Sequence, residues 1–351
     1  MTFFLRKIKS KPKRILITRT DRIGDFILTL PVFEAVYQQL NIEFTVLCQE
    51  TVLPILENNP FVKRIIAINS RDSIDKTITE IKQYNFDALL VLVNDSITTS
   101  LLPHLKSIPI RIGPLSKPKT FLYYSHPVLQ KRSRSLQNEA EYNLELLKLF
   151  DPNINVQIKP KVYVGSTEKE LFKKAYNHIQ FDLRKTIVFH SGMSGSALNW
   201  SFNCYQKLLL MLTELNVNII LTGYSKTEEK RNQELLQQLK VKELVYNLTG
   251  ELTLRDLIVL HALSDIFIGP STGPTHIANA SGLKIFSFYP PIQVQSKLRW
   301  QPYLADSNIF TPAVTCHQKY SCIKEKCREF YCMDQISVLE VYESIYSEIF
   351  H

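Results

Sequence analysis

The chain has 351 residues, of which 45% are hydrophobic and 21% are charged, a composition that excludes a disordered or collagen-like protein. The longest apolar run, Ala88 to Val93, is much shorter than the ~20 residues that cross a bilayer, so no transmembrane helix is predicted. The net charge is +9, and its distribution along the chain predicts an anionic partner.

Short β-rich runs alternate with longer amphipathic stretches, as in parallel sheets with crossover helices. Strands are predicted, in chain order, at 14–19, 44–48, 64–68, 87–93, 186–190, 217–222, 244–246, 266–269 and 284–288. Helical stretches are predicted near 25–40, 51–57 and 73–84. Because the length is about twice that of a typical domain, the pattern predicts two consecutive α/β domains, joined within 152–184.

The basic residues are concentrated in the N-terminal half. Residues 1–14 contain six Lys and Arg, residues 104–134 contain seven, and neither stretch contains an acid. Such stretches attract phosphorylated lipid, a membrane surface or nucleic acid. The alternative is a solvated basic face together with a frayed tail.

Seven of the ten glycines lie between residues 192 and 282. Glycine permits the tight turns that follow the strands of a parallel sheet. Ligands bind at the carboxyl ends of such strands, where helix N-termini offer N–H groups to phosphate. The second domain is therefore the predicted nucleotide site.

The first motif runs from Ile15 to Pro31, where a strand leads into a turn with Gly24 and then a helix that begins near Asp25. A carboxylate at this position can act as a helix cap. It is also placed where a general base belongs, at the carboxyl end of a strand. The spacing leaves both interpretations open.

Two further motifs follow strands of the second domain. The segment from His190 to Trp200 is rich in Ser and Gly, so its backbone N–H groups can approach a diphosphate, although a plain polar loop is the alternative. The segment from Gly269 to Gly282 predicts a strand, a tight turn and a helix that starts at Pro274. His276, one turn into that helix, is predicted either to bind phosphate or a sugar hydroxyl or to be structural.

Together these motifs resemble glycosyltransferase family 9, whose best known members are the ADP-heptose lipopolysaccharide heptosyltransferases. The resemblance spans residues 14 to about 345. It rests on Arg22-Ile23-Gly24-Asp25 with the following Leu30-Pro31 helix, on the histidine strand end leading to Trp200, and on Ser271-Thr272-Gly273-Pro274-x-His276-x-Ala278.

The resemblance implies an α/β fold of the GT-B type, with two Rossmann-like domains facing a cleft. Residues 1–165 would bind the acceptor, and residues 166–335, with a Cys-rich segment at 316–332, would bind the nucleotide-sugar. A C-terminal helix in 336–351 is expected to pack back toward the N-terminal domain.

The resemblance also implies an inverting, metal-independent transfer, with Asp25 as the base that takes the acceptor proton. The implied donor-binding residues are Ser191, Gly192, Met193, Ser194, Asn199, Glu228 (or Glu229), Ser271, Thr272, Gly273, Pro274 and His276. The implied acceptor-binding residues are Arg22, Lys117, Lys119 and Arg132.

Two positions depart from the family pattern. Many relatives carry Lys or Arg just before the tryptophan of the second motif, whereas this chain has Leu198-Asn199. The positive charge for the diphosphate is therefore expected from residues elsewhere, namely Lys226, Lys297 or Arg299. Relatives also usually have Asp where Ser271 stands, so the identity of the donor sugar is open.

Four cysteines lie close together near the C-terminus: Cys316, Cys322, Cys327 and Cys332. Four thiolates can hold structural zinc or iron, although the spacing lacks the usual short zinc pairs. In one subgroup of the family, which glycosylates autotransporter proteins, such a cluster binds iron. The alternatives are reduced cysteines packed as small hydrophobes, or a disulfide formed on purification. Catalysis would not require a metal here.

The resemblance implies transfer of heptose from ADP-heptose to a lipopolysaccharide core acceptor, an anionic glycolipid. Polar residues between 18 and 22 interrupt any signal-peptide core, so a cytoplasmic protein is expected, peripheral to the inner membrane. Nucleic acid is not expected as a partner. Two alternatives stay open: a protein acceptor, which the cysteines suggest, and a nucleotide-sugar-binding protein with impaired catalysis, which Leu198 and Ser271 suggest.

Overall fold

Each half of the chain forms its own α/β unit. The computed structural model describes residues 2–4, 8, 10–69, 73–115, 118–193, 195 and 197–351. Unit 1 is Met1–Tyr163 and unit 2 is Val164–His351. Two predicted site residues, Lys117 and Ser194, and the side chain of a third, Lys119, lie outside the described part of the chain.

Unit 1 is built on a seven-stranded sheet in the order β1-β7-β6-β5-β2-β3-β4. Its strands are β1 (Thr2–Phe4), β2 (Arg14–Thr18), β3 (Glu43–Gln49), β4 (Ile65–Ile68), β5 (Ala88–Val91), β6 (Ile110–Pro114) and β7 (His126–Gln130). Strand β1 pairs antiparallel with β7, and the other pairings are parallel.

The helices of unit 1 cover the sheet with apolar faces. They are α1 (Ile23–Ile27), α2 (Leu30–Ala35), α3 (Leu53–Leu56), α4 (Ile74–Gln83), α5 (Ser96–Leu101) and α6 (Glu139–Glu145). Helix α4 buries Ile78 and Ile81 in one core cluster with Leu16 and Leu89 of the sheet. Burying each such side chain contributes about 1.5–3 kcal/mol through the hydrophobic effect.

The chain order of unit 1 reverses direction between two neighbouring strands. Strand β2 pairs with β3 on one side and with β5 on the other, so the strands that follow β2 and β5 extend toward opposite edges of the sheet. Such a switch point leaves a crevice at the carboxyl ends of the two strands, where ligands bind in open α/β sheets. The first motif of the sequence emerges at this end of β2.

Unit 2 has a six-stranded parallel sheet in the order β10-β9-β8-β11-β12-β13. Its strands are β8 (Thr186–Phe189), β9 (Asn218–Leu221), β10 (Val245–Asn247), β11 (Ile266–Pro270), β12 (Lys284–Phe288) and β13 (Ser307–Phe310). Successive side chains face opposite sides: Ile187 and Phe189 join one core cluster, and Val188 joins the other. The switch point of this sheet lies between β8 and β11.

Unit 2 has seven α-helices within the described residues. They are α7 (Ser166–Ala175), α8 (Phe202–Leu212), α9 (Lys226–Gln237), α10 (Leu254–Ala262), α11 (Gly273–Ser281), α12 (Lys297–Trp300) and α13 (Val338–Phe350). The predicted helix in 336–351 is present as α13, and its Val341 and Ile345 are fully buried in the core of unit 2, on the side of α8. The packing of this helix toward the N-terminal domain stays a prediction.

Every predicted strand is present within two residues of its expected bounds. Strands β6 and β7 were not predicted, because basic and polar residues interrupt them and the stretch 104–134 reads as a charged surface. At least one of these basic side chains forms hydrogen bonds within unit 1. The guanidinium of Arg111 donates to the backbone oxygens of Tyr123, at 2.7 Å, and Lys106, at 3.1 Å. No helix in the described ranges is long and apolar enough to cross a membrane.

Candidate active site

Asp25 lies in the first turn of α1, at the switch point of the unit 1 sheet. The helix begins after Arg22, an exposed N-cap residue whose side chain makes no capping bond. The Asp25 side chain is 19% exposed, and its Oδ1 accepts a hydrogen bond of 2.9 Å from Nη2 of Arg19. The carboxylate is therefore held by a cation while part of it remains accessible.

Arg19 is the centre of a buried charge cluster that the sequence analysis did not identify. Its side chain is 1% exposed; Nε donates to Asp21 at 2.7 Å, and Nη1 lies 3.5 Å from Glu139. Burial alone would lower the pKa of Arg19, but Asp21, Asp25 and Glu139 raise it above its ordinary value. For Asp21, burial raises the pKa despite the opposing effect of Arg19. We name Arg19, Asp21, Asp25, Arg132, Glu139 and Asn143 the arginine cluster.

Arg132, predicted to bind the acceptor, belongs to the arginine cluster. Its Nη1 donates to Glu139 at 2.6 Å and to the backbone oxygen of Leu92 at 3.1 Å, and its Nε donates to Gln130 at 3.0 Å. These acceptors all belong to unit 1, and the contact of Arg132 with the acceptor stays a prediction. Arg22 is exposed.

In unit 2 the second and third motifs lie side by side. They leave the carboxyl ends of β8 and β11, the two strands at the switch point, and the backbone N–H of His190 bonds to the oxygen of Ile268 at 2.8 Å. Chain positions about 80 apart are thereby brought to one end of the sheet. The topology accounts for why both segments carry small and hydroxyl residues.

Glu228 reaches from the start of α9 to the end of β8. Its Oε2 accepts bonds from the backbone N–H groups of Tyr224, at 3.0 Å, and Ser225, at 2.9 Å, as part of a capping box. Burial opposes its ionised form, but these N–H groups outweigh burial and lower the pKa of Glu228. A Cβ at Gly192 would stand 2.0 Å from Oε1 of Glu228, so a larger residue there would require the Glu228 side chain to move.

Ser191 is fully buried and connects β8 with α9. Its carbonyl oxygen accepts a bond of 2.9 Å from Asn199, and its Oγ accepts one of 3.1 Å from Nε of Arg231. Among the described residues, Nη2 of Arg231 is buried without a hydrogen-bond partner. Burial lowers the pKa of Arg231, although a guanidinium remains charged at neutral pH. Met193, half-buried, follows in the same loop.

The third motif ends in the N-terminus of α11. Gly273 is the first helical residue and Pro274 the second, one position later than expected. Thr272 is the N-cap, yet its Oγ1 makes no capping bond and, within the described ranges, is buried without a partner. Ser271 is 8% exposed. A helix N-terminus with an unused hydroxyl is a suitable site for an anion.

His276 is the fourth residue of α11 and is 4% exposed. Its Nδ1 has no hydrogen-bond partner among the residues that the structure describes. Burial lowers the pKa of His276 to about 4, so the ring is neutral near pH 7. It can therefore exchange a hydrogen bond with a ligand but does not provide positive charge.

The three cations expected to replace the missing Lys or Arg stay predictions. Lys226 and Lys297 are exposed, and Arg299 stacks on the ring of Trp300 with 4.6 Å between Cζ and the ring centroid. Arg231 is the cation in contact with Ser191. Arg231 was not among the predicted site residues, because it lies within the polar helix α9. Its contact with the end of β8 joins residues 40 positions apart, which the local sequence pattern does not reveal.

The predicted metal site at the four cysteines is not supported. Cys332 packs in the core of unit 2 with Met333 and Ile336, and burial raises the pKa of its thiol. The other three cysteines are half-buried, and all four are free thiols. No group of three or more His, Cys, Asp and Glu side chains in the described part of the chain could hold a metal ion.

A buried histidine outside the site makes stability depend on pH. His261 is fully buried, and within the described residues neither ring nitrogen has a hydrogen-bond partner. Burial lowers its pKa to about 3, against about 6.5 unfolded. Because the unfolded chain binds the proton more readily, stability is lost as pH falls from 6.5 toward 3.

We expect His261 alone to cost about 1.4 kcal/mol of unfolding free energy between pH 7.5 and 5.5. His261→Phe should keep a ring against Phe267, raise stability at pH 5.5 and flatten the pH dependence. Urea unfolding at the two pH values measures this. An unchanged slope in the variant would contradict the assignment.

A mostly parallel sheet in unit 1 and a parallel sheet in unit 2, each with polar residues at its switch point, define a two-unit Rossmann-like protein. Residues 74–330 match glycosyltransferase family 9 (heptosyltransferase). A Haemophilus influenzae protein described as a glycosyltransferase is 30% identical over 304 residues, which cover 83% of this chain and 86% of that protein. The chain therefore belongs to glycosyltransferase family 9, and it is a glycosyltransferase, as the sequence predicts.

Solved structures confirm the predicted fold class. The family 9 glycosyl transferase from Veillonella parvula has a TM-score of 0.79 at 18% identity, covering 96% of this chain and 97% of that one. The E. coli ADP-heptose lipopolysaccharide heptosyltransferase II has a TM-score of 0.77 at 19% identity, covering 96% and 98%. The α/β fold of the GT-B type is thus shown.

Proposed function

We propose that the protein transfers heptose from ADP-heptose to a lipopolysaccharide core acceptor, with inversion and without a metal. Family membership supports a sugar transfer, and the E. coli structure of the same fold is named for ADP-heptose and lipopolysaccharide. The observation that carries the proposal is the placement of Asp25, a partly exposed carboxylate at the switch point of unit 1.

In the proposed reaction Asp25 accepts the proton of an acceptor hydroxyl. The hydroxyl oxygen forms a new bond to the anomeric carbon from the face opposite the diphosphate. The bond between that carbon and the diphosphate oxygen breaks, and ADP leaves with the electron pair. General base catalysis of this kind typically contributes about 10²–10⁴-fold to the rate.

The donor is proposed to bind at the ends of β8 and β11. The N-terminus of α11, with Thr272, Gly273 and Pro274, would receive the diphosphate, because the helix dipole and its N–H groups favour negative charge. Glu228 would accept hydrogen bonds from ribose hydroxyls, since the carboxylate is ionised and lies over Gly192. His276, as a neutral ring, would bond a sugar hydroxyl or a phosphate oxygen.

Arg231 is proposed as the cation for the diphosphate in this chain. Its Nη2 is buried and, among the described residues, has no partner, which costs free energy until an acceptor reaches it. A phosphate oxygen would satisfy it through a charge-assisted bond. Its contact with Ser191 supports a position beside the phosphate-binding loop.

The acceptor is proposed to be an anionic glycolipid at the cytoplasmic face of the inner membrane. Thirteen Lys and Arg and no acid occur in residues 1–14 and 104–134 together, which favours such an acceptor and contact with anionic lipid. Among the predicted residues, exposed Arg22 remains a candidate, as do Lys117 and Lys119. Arg132, whose guanidinium also bonds within the arginine cluster, stays a candidate as well.

A panel of nucleotide-sugars tests the proposal. ADP-heptose is expected to raise the melting temperature more than UDP- and GDP-sugars, because a ligand that binds only the folded state stabilises it. Transfer to a heptose-free lipopolysaccharide core should then persist in EDTA, and NMR should show an inverted anomeric centre. Retention of configuration would contradict the mechanism. Binding without transfer or donor hydrolysis would favour the catalytically impaired protein that Ser271 and Leu198 suggest.

A further inference from the structure

We infer that Arg19 is a positioning residue for Asp25, which it holds in one orientation and in its ionised form for proton transfer. This inference rests on the proposed role of Asp25 as the base. The side chain of Arg19 is 1% exposed, so it is not placed to contact a substrate directly. Its role is therefore exerted through the carboxylate.

The geometry of the guanidinium supports this role. A guanidinium is a planar fork, so bonds on two sides fix the direction of the third. Nε of Arg19 bonds Asp21 at 2.7 Å, and Nη1 bonds Oδ1 of Asn143 at 3.2 Å. These two contacts set the plane, and Nη2 then meets Asp25 at 2.9 Å.

Asn143 of α6 also fixes the helix that carries the base. Its Nδ2 donates to the backbone oxygen of Leu28, the C-cap of α1, at 3.3 Å. The same amide thus orients Arg19 with its oxygen and α1 with its nitrogen. Next to Leu28, Thr29 Oγ1 donates to the backbone oxygen of Asp25 at 3.1 Å.

Arg132 determines how much of Arg19 is available to Asp25. Both guanidinium groups face Glu139, but Arg132 is closer, at 2.6 Å against 3.5 Å for Arg19. Glu139 is 2% exposed, so its charge needs a partner. Because Arg132 supplies that partner, Glu139 competes only weakly with Asp25 for Arg19.

The charge balance makes Arg19 necessary for ionisation of the base. The arginine cluster has two guanidinium groups for three carboxylates, and Asp95 adds a further negative charge near Asp21. Without Arg19, Asp25 would lose the cation that bonds its Oδ1 at 2.9 Å, while Asp21 and Glu139, the other carboxylates beside the same guanidinium, would remain. Nearby like charges favour the protonated acid. Asp25 would then be protonated, and unable to act as a base, at a higher pH than in the wild type.

The test is the pH profile of kcat for Arg19→Lys. Lysine keeps the charge but lacks the fork, so it cannot bond Asp21, Asn143 and Asp25 together, and we expect kcat at pH 7.5 to fall about 10–100-fold. Loss of the bond to Oδ1 of Asp25 removes a contact that favours the ionised carboxylate, so the acidic limb of the profile should move up by about one pH unit, while the Kd for ADP is unchanged. Arg255→Lys, which alters the bidentate pair with Glu168 in unit 2, is the matched control. It should leave kcat, the acidic limb of the profile and the Kd for ADP unchanged.

Asn143→Ala provides a second variant that keeps every charge of the cluster. We expect it to lower kcat with a smaller change of the acidic limb, because Arg19 loses one of the bonds that orient it but can still bond Asp25. Thermal melts establish that each variant is folded. A wild-type kcat and pH profile in folded Arg19→Lys would overturn the inference. If Asp25→Asn retains full activity, the proposed base itself fails, so the two failures can be told apart.

Discussion

Asp25→Asn is expected to lower the transfer rate by about 10²–10⁴-fold and to leave the Kd for ADP unchanged. The amide is nearly isosteric with the carboxylate but cannot accept the acceptor proton. The proposed nucleotide site lies in unit 2, at the ends of β8 and β11, so ADP binding should not depend on this side chain. Single-turnover transfer and calorimetric titration with ADP measure the two effects.

Asp75→Asn is the matched control, because Asp75 is an exposed acid in the first turn of α4 in the same unit. It removes one negative charge and one helix-dipole interaction without touching the arginine cluster. Its turnover should equal that of the wild type. Full activity in Asp25→Asn would eliminate the residue as base and direct attention to Asp21, the other carboxylate bonded to Arg19.

Arg231→Met is expected to weaken ADP binding at least about 10-fold, the value of one charge-assisted hydrogen bond. Methionine keeps an apolar stem against the rings of Phe202 and Tyr205, on which the guanidinium lies at 5.2 and 5.4 Å from the centroids. Packing is thereby largely retained while the charge is lost. Titration with ADP and with adenosine separates phosphate recognition from nucleoside recognition, since only ADP should lose affinity.

Lys230→Met serves as the control for this substitution. Lys230 is the preceding residue of α9 and its side chain is 80% exposed, so the variant removes the same charge from the same helix at a position facing solvent. Equal loss of ADP affinity in both variants would mean that the loss comes from the lower net positive charge and not from a specific contact of Arg231 with the phosphates. Retained affinity in Arg231→Met would remove Arg231 from the donor site.

The sequence predicted the elements whose signals are local. The strand at Arg14–Thr18 and the helix start near Asp25 follow from an apolar run and a glycine turn within about ten residues. The paired motifs of unit 2 were predicted as one site because parallel strands share an edge for their carboxyl ends. Strands β6 and β7 were missed, since Arg111 and His126 break their apolar pattern although the fold uses both inside unit 1.

The contacts that complete each site could not be predicted from spacing. Arg19 and Asn143 are 124 residues apart, and Arg231 and Ser191 are 40 apart in different elements. Charged residues in such segments are typically solvated, so composition favours the wrong interpretation of them. The same holds for the four cysteines, whose closeness in sequence predicted a metal site, although Cys332 turns into the core.

The absence of any side chain at Gly192 links two loops that are far apart in the sequence. Oε1 of Glu228 occupies the space that a methyl group at position 192 would need. The segment after β8 and the start of α9 therefore have complementary shapes at this contact. A substitution at either position alone should disturb both, and a homologue with alanine at 192 should carry a shorter residue at 228. A stable replacement of either residue would therefore require a matching change at the other.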